Sequence, residues 1–118
     1  MNTELNFLRK EALQELETNI LPFWMQQCID TEHGGFLGRI RGDGSADPDA
    51  PKGAILNARI LWAFSAAFRV LGKKEYIETA TRAKREIIDR FYDKEYGGVF
   101  WSLDSQGRPF DTKKQIYA

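Results

Sequence analysis

One segment restricts this chain more than any other. Ala54 to Leu71 reads A-I-L-N-A-R-I-L-W-A-F-S-A-A-F-R-V-L, and its apolar residues cover nearly the whole circumference of a helix. Only Asn57, Arg59, Ser65 and Arg69 interrupt it. A helix apolar on every side is expected to be buried on every side, and Gly72 supplies its stop. The segments flanking it read differently. From about Thr3 to Ile29, Leu5, Leu8, Ala12, Leu16 and Ile20 recur at spacings of three and four, with Glu4, Arg9, Glu11, Glu15 and Glu17 mostly opposite. That pattern predicts a surface helix with one apolar stripe. Asn2 or Thr3 can cap it. Pro22, which lacks an amide hydrogen, predicts a kink or a division into two shorter helices, and the whole reads as one surface helix with a disturbed last third. From Lys74 to Phe91 a second stripe of Tyr76, Ile77, Ala80, Ala83, Ile87 and Phe91 leaves Lys73, Glu78, Arg82, Lys84 and Arg85 toward water.

The connections repeat. D-T-E-H-G-G-F, Asp30 to Phe36, returns 63 residues later as D-K-E-Y-G-G-V, Asp93 to Val99. Each copy follows an amphipathic helix and leads toward another, giving the order outer helix, glycine–aromatic hairpin, inner helix. This alternation predicts an all-α fold, a barrel of two concentric helical layers with short hairpins between them. Closing a six-fold ring would take roughly 380 residues at this repeat length. Residues 1–118 therefore read as an incomplete N-terminal part of a single barrel domain. The competing reading is a compact four-helix domain whose glycine pairs are simple turns. Its weak point is the last helix, expected from about Thr112, which has barely two turns before Ala118.

Residues Glu32 to Pro51 are rich in glycine, with Phe36, Leu37 and Ile40 as a candidate short strand. Asp43, Ser45, Asp47 and Asp49 have the alternate spacing of a calcium loop, but Pro48 stands where glycine is needed and Ala54 where a bidentate glutamate belongs. A polar loop is expected there. The run Y-G-G-V-F-W-S-L-D-S-Q-G-R-P-F-D predicts a hairpin turning near Ser105 to Gly107.

Lys and Arg number 17, as do Asp and Glu, so no basic excess attracts nucleic acid or an acidic membrane surface. Charges are expected to cut each apolar run short of the roughly 18 residues a membrane span needs. The N-terminus lacks the apolar run of a secretory signal, and the single Cys28 forms no internal disulfide. A cytoplasmic protein is expected. One histidine, His33, and one cysteine make no typical zinc site, and the glycine pairs lack phosphate-loop or dinucleotide context. No metal or cofactor is expected.

Arg59 is the first candidate for chemistry. Its guanidinium stays charged, so on an otherwise dry helix it must meet an anion, a set of acceptors or an open cavity. Trp62 is three residues on and shares its face. Together they offer a sugar both hydrogen bonds and a stacking surface; a structural Arg–carboxylate pair is the alternative. Asn57 lies about 200° away around the helix and is expected to satisfy a nearby loop or helix end. His33, before Gly34 and Gly35, either projects over a ligand or caps the preceding segment. Tyr117 either donates its phenol to a sugar oxygen or closes the core. Tyr96, Phe100 and Trp101 are expected to pack the hairpin, with one of them able to reach the cavity mouth.

The ordered set H-G-G-F (His33 to Phe36), K-G (Lys52, Gly53), N-A-R-I-L-W-A-F-S (Asn57 to Ser65), Y-G-G-V-F (Tyr96 to Phe100) and K-K-Q-I-Y-A (Lys113 to Ala118) resembles the N-terminal part of the N-acylglucosamine 2-epimerase family. The cellobiose 2-epimerase branch is the nearest likeness. The resemblance implies a six-fold alpha/alpha barrel that inverts C2 of a reducing sugar through ring opening and an enediolate, some relatives being aldose–ketose isomerases. It also implies that Arg59 contacts the reacting sugar, that Tyr117 faces the cavity, and that the catalytic histidines lie beyond Ala118. His33 matches none of them. The implied substrate is a reducing sugar or disaccharide such as cellobiose, and the implied partners are the remaining barrel helices. N-acylglucosamine 2-epimerisation, aldose–ketose isomerisation, glycoside hydrolysis on a similar barrel and a noncatalytic helical scaffold are the alternatives.

Overall fold

The computed structural model describes residues 2–118. Helix α1 (Thr3–Glu15) starts where the Asn2 side chain accepts the Glu4 amide at 2.8 Å, so Asn2 is the cap. It runs through a π-helical turn (Leu16–Ile20) into α2 (Leu21–Gln26). The helix widens just ahead of Pro22, where the proline ring would crowd an ordinary turn, and the Leu21 amide reaches back five residues to Leu16. The expected surface helix with a disturbed last third is thus found, the disturbance being a widened turn ahead of Pro22 rather than a division. No residue of α1 is buried, and Leu5 and Leu8 of its apolar stripe are both more than half exposed, as is Phe7 on the other side.

The centre of the molecule is the contact between α3 (Ala54–Leu71) and α4 (Lys74–Glu86). Ile60, Phe64 and Ala67 pack with Tyr76, Ala80 and Ala83, and Leu21 and Phe36 close the cluster. Two alanines in the α4 stripe leave room for a close helix approach. The Gly72 amide donates to the Phe68 carbonyl at 2.8 Å and ends α3. Burial of α3 on every side does not hold within this chain. Its buried residues are Ala54, Asn57, Ile60, Phe64 and Ala67, whereas Trp62 and Val70 are each 75% exposed. One apolar flank has no neighbour. By length and composition α3 is also apolar enough to cross a membrane, which corrects the expectation that charges cut every run short. The two arginines are its only charges, and its buried face is committed to α4.

A second π-helical turn (Ile87–Phe91) follows α4 and places Phe91 in a smaller cluster with Ala54 and Leu103. The expected hairpin forms from β2 (Ser102–Leu103) and β3 (Pro109–Asp111), turning through Asp104 and Gly107. A third strand not foreseen from the sequence, β1 (Lys52–Gly53), pairs with the other edge of β2, giving the antiparallel order β1-β2-β3 with Lys52 opposite Leu103. This small sheet ties the start of α3 to the hairpin. The expected fourth helix does not form. Residues 112–118 hold only a turn in which the Ala118 amide donates to Gln115, because so short a segment closes too few intrahelical bonds to meet the cost of nucleation.

The radius of gyration is 16.2 Å. A closed globule of this length would have about 13–14 Å. The excess agrees with the uncovered flanks of α1 and α3.

Candidate functional site

Arg59 and Trp62 project from one side of α3 because they stand three residues apart on a helix. They line an open cavity of about 400 Å³ together with Ile55, Ala58 and Tyr117. Tyr117 comes from the irregular C-terminal segment. Its ring meets Trp101 edge-on, with centroids 5.7 Å apart, and the Trp101 carbonyl in turn accepts the Ala54 amide at 3.1 Å. The hairpin therefore connects the first residue of α3 to the aromatic wall opposite it. All three candidate residues from the sequence converge on one concave surface. Trp62 and Tyr117 are both more than two-thirds exposed there.

Arg59 is exposed, and among the described residues it has neither a carboxylate within 4.0 Å nor a hydrogen-bond acceptor. The structural ion-pair alternative finds no partner among the described residues. Arg59 also borders a larger apolar cleft of about 570 Å³ between α3 and the Leu13–Trp24 region. Its cation thus stands between an apolar wall and the Trp62–Tyr117 cavity. Asn57 lies on the opposite, buried side, as the helical geometry requires; its Nδ2 donates to the Gly53 carbonyl at 2.9 Å, back to the N-cap residue that begins the helix. Its Oδ1 is buried without a partner among the described residues.

The two repeat loops have one design. In the first, the Asp30 carboxylate accepts the Glu32 and His33 amides at 3.0 and 2.9 Å and the Lys52 ammonium at 2.7 Å; Lys52 also donates to the Gly34 carbonyl at 2.9 Å. In the second, Asp93 accepts the Glu95 and Tyr96 amides at 3.0 and 3.1 Å and the Lys114 ammonium at 2.8 Å; Lys114 also donates to the Gly97 carbonyl at 2.7 Å. Burial opposes ionisation of Asp30, but the His33 amide, Lys52 and the Glu32 amide together hold its carboxyl below the ordinary value. The Lys114 hydrogen bond and the Tyr96 amide lower Asp93 likewise.

Two arginines brace the first loop. Arg82 donates from Nε to the Gly35 carbonyl at 2.8 Å and from Nη2 to the Asp30 carbonyl at 2.9 Å, and Arg90 donates to the His33 carbonyl at 2.8 Å. Arg82 therefore faces the loop, not water as its helical position suggested. His33 is held through its backbone, and its ring is about a third exposed beside Asp30 and Glu32. Tyr96 is 82% exposed and packs nothing; Trp101 packs Tyr117, and the Phe100 ring lies 5.3 Å from Lys114 Nζ. Cys28 is buried, which pushes its thiol up to about 11 and removes it as a nucleophile at neutral pH. The Asp43–Asp49 stretch is a polar loop: Asp43 accepts the Ser45 amide and hydroxyl, and Arg41 pairs with Asp47 at 3.4 Å. Lys52 and Lys114 stand in the sequence motifs, but their pairing with Asp30 and Asp93, and the arginine braces, leave no local pattern beyond the repeat itself.

Alternating helical layers joined by glycine-rich loops define part of an alpha/alpha barrel. The structure superimposes on cellobiose 2-epimerase from Bacillus thermoamylovorans B4167 with a TM-score of 0.90 and 43% identity, over 95% of this chain and 29% of the other. It matches cellobiose 2-epimerase from Spirochaeta thermophila DSM 6192 with a TM-score of 0.90 and 40% identity, over 97% and 28%. Residues 35–118 match the N-acylglucosamine 2-epimerase (GlcNAc 2-epimerase) family, and the chain belongs to that family. Cellobiose 2-epimerase of Bacteroides fragilis is 61% identical over 111 residues, which is 94% of this chain and 28% of that relative. The chain thus spans less than a third of the length of the relatives it matches.

Proposed function

We propose that this chain is the opening outer–inner–outer run of a single alpha/alpha-barrel domain whose complete form is a cytoplasmic sugar 2-epimerase. Its substrate is the reducing end of a β-1,4-linked disaccharide such as cellobiose, and neither nucleic acid nor membrane is a partner. The observation that carries this reading is the convergence of Arg59, Trp62 and Tyr117 on one cavity, with Arg59 free of any carboxylate partner among the described residues. The names of the similar proteins support the same choice.

The chemistry assigns these residues distinct tasks. Once the sugar ring opens, the C2 proton lies next to the C1 carbonyl. A base removes it, and negative charge moves onto oxygen as an enediolate. Proton return to the other face then inverts C2. Two histidines in the remainder of the barrel suit these transfers, since an imidazole titrates near working pH. Arg59 aims a fixed cation at the enediolate oxygens and stabilises charge where it develops. Trp62 offers a flat face to the sugar, and the Tyr117 phenol orients a hydroxyl.

An assay of the full-length protein on cellobiose, mannobiose, N-acylglucosamine and free aldoses, resolving both epimers and ketoses, tests this. Inversion at C2 with retention of the glycosidic bond is expected. Ketose as the main product would move the assignment to isomerisation, bond cleavage to hydrolysis, and no turnover to a scaffold.

A further inference from the structure

Among the described residues, the segment that carries Tyr117 is irregular beyond Asp111, and side chains tie it to the rest of the fold. The firmest hold is Lys114, three residues before Tyr117. Its ammonium is shared between the Asp93 carboxylate and the Gly97 carbonyl, both parts of the second repeat loop. Asp93 cannot drift, because two backbone amides fix its other oxygen. Charge-assisted bonds to a nearly buried carboxylate are short and directional.

The first repeat carries the same construction in the equivalent place. Lys52, shared between Asp30 and the Gly34 carbonyl, lies immediately before α3, the helix that bears Arg59. Lys52 also sits in β1, which reaches β3 through β2, and β3 leads to Lys114. Two lysines pinned to two like loops therefore stand at the approaches to the two polar side chains that face each other across the cavity. The sheet joins the two approaches.

We propose that Asp93 and Lys114 are positioning residues which set Tyr117 against Arg59, as Asp30 and Lys52 set the start of α3. This rests on the sugar-site reading above. Neither residue touches the substrate; each acts through the placement of the Tyr117 ring.

The test uses the full-length protein with 3-fluorotyrosine at position 117, in the wild type, Lys114→Met and Asp93→Asn. Asparagine keeps an oxygen for the Glu95 and Tyr96 amides while removing the charge. Both variants are expected to shift or broaden the fluorine resonance, with melting temperatures confirming a folded chain. Lys114→Met should lower kcat/KM about tenfold, since a small misplacement of a positioning group has large kinetic effects. In a Tyr117→Phe background the same change should cost less than about twofold, because the two residues act as one unit. An unchanged fluorine signal, or fully additive kinetic losses, overturns the proposal. So does failure of both variants to fold, which would make the pair a folding element. A wild type that epimerises no sugar refutes the sugar-site reading, while the fluorine signal still decides the pin.

Discussion

Lys52 and Asp30 form an almost fully buried ion pair, 2.7 Å apart, with side-chain exposures of 3% and 5%. The pair is satisfied on both sides by backbone groups, so removing one partner leaves an uncompensated charge. Lys52→Met in the full-length protein is expected to lose about 3 kcal/mol of stability, read as a lower urea midpoint. The depressed Asp30 carboxyl adds a pH dependence of known sign. Its contribution is complete above the unfolded value of about 3.9 and is lost as pH falls through the lower folded value. Urea midpoints at descending pH should therefore converge for wild type and Asp30→Asn; a gap that stays constant to pH 2.5 contradicts this assignment.

Arg59 is exposed and has no carboxylate partner among the described residues, so replacing it should leave the fold intact. Arg59→Ala and Arg59→Lys in the full-length protein are expected to lose at least about tenfold in kcat, roughly 1.4 kcal/mol of transition-state stabilisation. Lysine keeps the charge but not the planar fork. Tyr117→Phe should be milder. Near-normal kcat in a folded Arg59→Ala protein, checked by circular dichroism, would remove Arg59 from the chemistry.

The two glycine pairs predict unequal responses to alanine. Gly35 has φ +66°, and a Cβ there would lie 2.5 Å from the Glu86 carboxyl carbon; Gly97 has φ +80° with open space around it. Gly97→Ala should cost only the left-handed penalty, about 1 kcal/mol. Gly35→Ala must also shift the Glu86 side chain and should therefore cost more than Gly97→Ala. Equal urea midpoints for the two variants would refute the packing argument.

The uncovered apolar sides of α1 and α3 have a consequence in solution. Residues 1–118 expressed alone should associate or bind a hydrophobic dye, because Leu5, Phe7, Leu8, Trp62 and Val70 are exposed. A sedimentation profile of one compact monomer with sharp, high-temperature melting would contradict this.

Helix positions and their stripes were readable because each stripe is a local periodic pattern, and the 63-residue repeat predicted two like loops. The convergence of Arg59, Trp62 and Tyr117 was only half legible. Helical spacing places Trp62 beside Arg59, but Tyr117 reaches them through β1, which is two residues long and has no periodic signature. Arg82 defeated the amphipathic reading for a related reason: its partners are backbone carbonyls 47 and 52 residues away, and carbonyls leave no trace in a sequence. The terminal helix failed because its pattern was sound and its length was not.

The two lysine pins also order events in time. Each closes a span of only 21 or 22 residues, whereas the Arg82 and Arg90 braces join residues 47 to 57 apart. Short closures cost less chain entropy and form sooner. As the chain leaves the ribosome, the first lysine pin can close before α4 emerges, and the Arg82 and Arg90 braces then complete the loop. Vectorial emergence thus favours closing the first loop on its lysine before α4 docks against it.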